Sequence, residues 1–239
     1  MTTEDLTAFL GDWPHEPGRV NARIITGTDG RLKVQVRIDL GVLHMEMDGR
    51  PDGHHPNGHE SLFALHQERH QVYVRDVGAS AGFVLTADDC RALREEAVQY
   101  YHRYVALFAL KEYAQVIRDA TRSLALFDFC RDFAANEDDR QILEQFRPSV
   151  IMTRTRAEAE RAIAASEPRR ALEALDRGLR ELHVVFDEAG RGDAFDQSNE
   201  ALLLRGMRDA LVPRLPMSQR GELVERLRAA LDAENYELA

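Results

Sequence analysis

The sequence predicts an α+β protein, a small antiparallel sheet near the N-terminus packed on a mostly helical body. Three observations carry that prediction. Thr86 to Phe133 reads as two long amphipathic helices folded back on each other. Arg31 to Asp39 alternates apolar and polar residues with period two, as a strand with one wet face does. Beyond Asn136, apolar residues recur at helical steps. The expected division is residues 1–58 for the sheet, 59–212 for the helical body and 213–239 for a last helix.

Composition excludes several classes. The chain has 239 residues, 44% hydrophobic and 30% charged, which suits a globular protein with a sizeable core. Two cysteines, Cys90 and Cys130, cannot build a disulfide framework, and their scarcity points to a reducing compartment, the cytoplasm. Glu4 and Asp5 stand where a secretory signal carries positive charge, and no apolar run approaches the roughly 18 residues that span a bilayer, so no membrane is expected. A net charge of −10 argues against nucleic acid. Only Arg147 to Arg180 is locally basic, with eight arginines against five acids, the composition of a solvated helix face. A DNA-repair accessory role through that face is the weakest of the functional readings.

In chain order, Thr3 to Leu10 is expected to be a short helix ended by Trp13-Pro-His-Glu-Pro17, with Trp13 a packing anchor. Val20 to Ile25 and Arg31 to Ile38 form a hairpin through Gly27-Thr-Asp-Gly30. After Ile38 the apolar parity flips to Leu43, Met45 and Met47, which predicts a bulge or bend at Gly41. A single strand from Arg31 to Asp48 would run about 60 Å at ~3.3 Å per residue, longer than the first strand can pair. The surplus is covered by the chain's own residues or by a second copy, hence a possible homodimer through the β edge.

A helix is expected from His59 to about Arg75, then a Gly78 to Gly82 connector. Thr86-Ala-Asp-Asp89 is a capping signal for the first hairpin helix, and Leu110-Lys-Glu112 leaves room only for a tight turn. Asn136-Glu-Asp-Asp139 starts another helix, which Pro148 should kink or split. Ser166-Glu-Pro168 caps the next, Ser198 opens one to Leu211, and Ser218 opens the last after Pro213 and Pro216.

Leu110-Lys-Glu-Tyr113-Ala-Gln-Val116-Ile117 and Ser166-Glu-Pro-Arg-Arg-Ala171-Leu172 are each similar to the second helix of a tetratricopeptide repeat, but Val116 and Ala171 lie 55 positions apart, not the 34 of a tandem array. Gly221 to Ala239, with Leu223, Leu227 and Leu231 and the turn Glu234-Asn-Tyr236-Glu-Leu-Ala239, resembles the first half of a UvrB/UvrC motif. With Ile38 to Gly53 and Gly58-His-Glu-Ser61, the chain resembles bacterial UvrB/UvrC-motif proteins of uncharacterised activity. The resemblance implies a protein–protein contact module in which Leu223, Leu227, Leu231 and Tyr236 bind a partner. The sequence given stops before the second helix of that motif, so the leucine stripe is expected to be completed by residues beyond it, by the body of the chain or by another chain.

His54, His55, His59, His66 and His70 are the only dense set of potential ligands. His66 and His70, four apart, share a helix face and with His59 are the metal candidates for a metal-dependent enzyme using residues 54–70. Their spacing matches no known metal signature, and no cofactor is expected. Glu96, Tyr100, Tyr101, His102 and Tyr104 are the candidates for an acid–base cluster, although aromatics at helical spacing more often build a core. No phosphate-binding glycine loop is present. The favoured expectation is a non-enzymatic assembly module that recruits another protein.

Overall fold

Val34, Met45 and Met47 on one face of the sheet bury against Tyr104, Leu107 and Val116 of the helical hairpin, and that shared apolar cluster joins the two halves of an α+β fold. The computed structural model describes residues 6–212 and Leu227. It divides into two units, Met1–Ala157 and Glu158–Ala239.

The first unit begins with α1 (Thr7–Asp12), then β1 (Asn21–Thr26), β2 (Leu32–Ile38) and β3 (Gly41–Glu46), antiparallel in that order. Asn21 pairs with Arg37 and Thr26 with Leu32; Ile38 pairs with Gly41 and Lys33 with Glu46. The expected bulge at Gly41 is therefore a reversal: Asp39-Leu40 turns the chain back, and the parity flips because the strand direction does. Neither turn residue has a positive φ, so the glycine-rich signature of the commonest hairpins is missing. Arg37 holds the turn instead, its Nη1 donating to the carbonyls of Asp39 (3.2 Å) and Gly41 (3.1 Å) and its Nε to that of Trp13 (2.8 Å). β3 takes up the apolar length that the sequence left without a partner, and with it the reason for a strand shared between subunits. The expected wet face is a polar ladder: Lys33, Gln35 and Arg37 are buried between the flanking strands, while Leu32 and Ile38 at the strand ends are exposed. Trp13 is the anchor it promised to be, its Nε1 donating to Asn21 (2.8 Å) and its ring carrying the Arg23 guanidinium at 4.0 Å.

Helix α2 (Leu62–Val77) starts three residues later than expected, because Ser61 supplies the cap by accepting the Ala64 N–H. The hairpin is α3 (Ala87–Ala109) and α4 (Tyr113–Phe133). Thr86 and Asp89 form the reciprocal capping box, each side chain accepting the other's backbone N–H. Leu85 and Ala134 pair as a one-residue parallel bridge that ties the start of α3 to the end of α4. α5 (Glu137–Gln141) and a 3-10 turn (Glu144–Phe146) lead to α6 (Arg147–Ala164). Pro148 thus does split the expected helix: it lies in the first turn of α6, where its missing N–H would have had no intrahelical partner anyway.

In the second unit α7 (Pro168–Glu188) packs on α8 (Asn199–Leu211), burying Ala171, Leu175, Leu182, Ala201 and Leu204. The turn from α6 to α7 repeats the turn from α3 to α4 bond for bond. Lys111 and Ser166 take φ of 63° and 60°. Glu112 N–H reaches back to Leu107 C=O (2.9 Å) as Glu167 N–H does to Ala162 C=O (2.8 Å), and Lys111 to Phe108 (3.1 Å) as Ser166 to Ile163 (2.9 Å). Ser166-Glu-Pro168 is accordingly a helix stop as much as a start, for Glu167 makes no side-chain cap bond. The expected last helix after Pro213 lies outside the described residues, apart from Leu227.

Candidate functional site

Antiparallel packing of α3 on α4 brings Glu96, Tyr100 and Arg103 opposite Arg118, Asp119 and Arg122, and these six side chains form a polar layer inside the first unit. Glu96 and Asp119 are 0% and 1% exposed. Arg103 grips Asp119 with a two-pronged fork, Nε to Oδ2 (2.7 Å) and Nη2 to Oδ1 (2.9 Å). Its Nη1 donates to the carbonyls of Glu46 (3.0 Å) and Gly49 (2.8 Å), fastening the end of β3 to the hairpin. Arg118 donates Nε to Asp119 (3.0 Å), Nη2 to the Met47 carbonyl (2.8 Å) and Nη1 to Asp48.

Glu96 does for α2 what Asp119 does for the loop. It accepts the first backbone N–H groups of that helix, Leu62 (2.7 Å) and Phe63 (3.1 Å), which would otherwise be orphaned, and pairs with Arg122 and Arg50. The acid–base cluster expected from the sequence is therefore divided. Glu96 and Tyr100 are held by arginines, and burial raises the Tyr100 hydroxyl pKa. Tyr101 and His102 lie exposed on another face.

That other face is an apolar groove of about 610 Å³. Val98 and Tyr101 of α3 form one wall, Ile142, Phe146 and Val150 the other, and Phe127 of α4 lines the space between them. Val98, Tyr101, Ile142 and Phe146 are each about half exposed, a concentration of large apolar side chains that a solvated wall does not need.

The histidines disperse. His59 donates its Nδ1–H to the Pro56 and Asn57 carbonyls (3.2 Å each) and pairs through Nε2 with Glu68, which raises its pKa. His66 is buried, its Nδ1 2.9 Å from Arg69 Nη1 and its Nε2 3.7 Å from Asp89; burial first, opposed by Asp89, lowers its pKa. His70 packs among Phe133, Phe83 and Phe129 at 4.5, 5.0 and 5.9 Å and reaches Ser80 at 3.0 Å. His54 and His55 are exposed. Among the described residues no three His, Cys, Asp or Glu side chains are grouped to hold a metal ion. Cys90 and Cys130 are buried, and burial pushes their thiols up to about 11 and about 12, far from nucleophilic thiolate.

Of the partner-binding residues read from the sequence, Leu227 is helical and exposed, and Leu223, Leu231 and Tyr236 lie outside the described residues. Four arginines of the basic stretch meet acids: Arg147 pairs with Glu144 and Asp128, Arg169 with Glu173, Arg170 with Glu167 and Arg177 with Glu158. No described helix is long and apolar enough to cross a membrane. Asp119 escaped a functional reading of the sequence because a lone carboxylate on an apolar helix face is its own only signal, whereas Glu96 entered one only as a member of the acid–base cluster. No protein-family model, curated protein or solved structure matches the chain.

Proposed function

We propose that the chain is a non-enzymatic interaction module that docks a segment of another protein in the apolar groove between α3 and the α5–α6 region. The half-exposed Val98, Tyr101, Ile142 and Phe146 carry this reading. Four large apolar side chains converging on one groove are desolvated only when a partner fills it, and a helix presenting aliphatic residues at i, i+3 and i+4 has the matching shape. The supports agree: Arg94 of α3 pairs with Asp139 of α5, and Asp128 of α4 with Arg147 of α6, which ties both walls of the groove to the hairpin. The leucine stripe Leu223, Leu227 and Leu231 with Tyr236, similar to half of a UvrB/UvrC motif, is a second recruiting element in the same reading.

The test is affinity capture from the native cells with wild type, Val98→Glu, and a chain lacking Gly221 to Ala239. Val98→Glu, at an exposed position, is expected to leave thermal stability within about 0.5 kcal/mol of wild type and to lose the partner. Recovery of the same proteins by wild type and Val98→Glu would sink the groove. Recovery unchanged by the deletion would sink the stripe.

A further inference from the structure

The polar layer holds more guanidinium than buried carboxylate. Arg103 and Arg118 share Asp119, and Arg50 and Arg122 share Glu96, so four cations surround two interior anions. Arg118 and Arg50 reach second acids, Asp48 and Asp52, nearer the solvent. Arg103 spends its remaining donors on the Glu46 and Gly49 carbonyls. Arg122 has no second partner among the described residues: its Nη1 is buried and makes no hydrogen bond. The Arg122 guanidinium lies 3.6 Å from the Tyr100 ring centroid and 5.3 Å from that of Phe63, so it is held between two aromatic walls.

Arg122 lines an open cleft of about 390 Å³, together with Ser61, Phe63, Tyr100, Arg103 and Arg118. The first backbone N–H groups of α2 offer nothing further there, since Glu96 and Ser61 already take them. Asp48 and Glu60 stand in the same wall but are exposed, where water screens them, and Asp119, the third carboxylate of the wall, is already held by Arg103 and Arg118.

From this geometry we propose that the cleft between α2 and the α3–α4 hairpin binds an oxyanion, the carboxylate or phosphate of a small ligand, with Arg122 as its principal donor. A guanidinium with an unsatisfied Nη1 matches an oxyanion in shape and charge, and its partial burial reduces the water that would compete. The site is separate from the apolar groove and stands whether or not the groove takes a partner.

The probes are inorganic phosphate and succinate, each compared with sodium chloride at equal ionic strength, with thermal unfolding of the full chain as readout. One or both are expected to raise Tm by roughly 3 °C at tenfold excess over Kd, and the better of the two identifies the source of the oxyanion. Gln67, an exposed residue of the cleft wall, tests location without disturbing the fold. Gln67→Glu is expected to weaken the anion and Gln67→Lys to strengthen it, each roughly fivefold. Arg122→Lys, which keeps the charge beside Glu96 but loses the planar fork, is expected to abolish the rise. A rise no larger than that in chloride, or one that Gln67→Glu and Gln67→Lys leave equal, would overturn the proposal.

Discussion

Burial and pairing act on single residues here in opposite senses, and His66 shows how. Its neighbours are Arg69, Asp89 and, more distantly, Glu96, and desolvation outweighs the acids, so folding favours the neutral imidazole. A base whose pKa is lowered by folding binds fewer protons folded than unfolded. Its stabilising contribution is whole above the unfolded value, about 6.5, and is lost as pH falls through that value toward the folded one. His59, raised by Glu68, works in the opposite window, its contribution present at low pH and lost as pH rises through its folded value. The wild type is therefore expected to lose more stability between about pH 7 and about pH 5 than His66→Gln does, measured as urea midpoints at each pH. Equal losses would show that His66 titrates as a free histidine. Only part of this was readable beforehand: four-residue spacing correctly placed His66 and His70 on one helix, but one ended beside Asp89 and the other among phenylalanines.

At the scale of elements, the two matching turns are the clearest sign that α3–α4 and α6–α7 are built alike. Each places a residue with a side chain in left-handed backbone, Lys111 and Ser166, where a glycine would be relaxed. Ser166→Gly and Lys111→Gly are each expected to stabilise the fold by about 0.5–1 kcal/mol, the relief of strain less the added freedom of the unfolded chain. Urea unfolding of each variant reads this, and a loss of stability would mean that the lysine or serine side chain contributes more than its backbone costs. These turns were legible in the sequence because the helices on either side are legible from periodicity alone. The hairpin at Asp39-Leu40 was not legible in that way. Its turn depends on Arg37 reaching across to carbonyls, and without that knowledge a parity flip beside Gly41 reads as a bulge.

For the molecule as a whole, the sheet and the first helical hairpin share one apolar cluster across the expected boundary near residue 58, and they are expected to unfold together. Val34 and Leu107 are fully buried in the same cluster. Leu107→Ala is expected to cost about 2–5 kcal/mol. Trp13, the only tryptophan, sits beside β1 and reports on the sheet, while far-UV circular dichroism reports on the helices. Removal of a helical leucine should therefore lower the midpoint of the Trp13 fluorescence transition as well as the helical one. A Trp13 transition that stays at its wild-type midpoint would show that the sheet folds by itself.

What the sequence determined was whatever interactions within about four residues decide: the Thr86–Asp89 capping box, the period-two strands, the leucine and alanine stripes, and the turns between paired helices. What only the tertiary structure decided were the partners of the charged residues. Arg103 meets Asp119 across 16 positions, Glu96 meets Leu62 across 34, and Arg118 meets Met47 across 71. No local pattern records such distances, because a buried ion is stable only once every element that desolvates it has also brought its counter-charge.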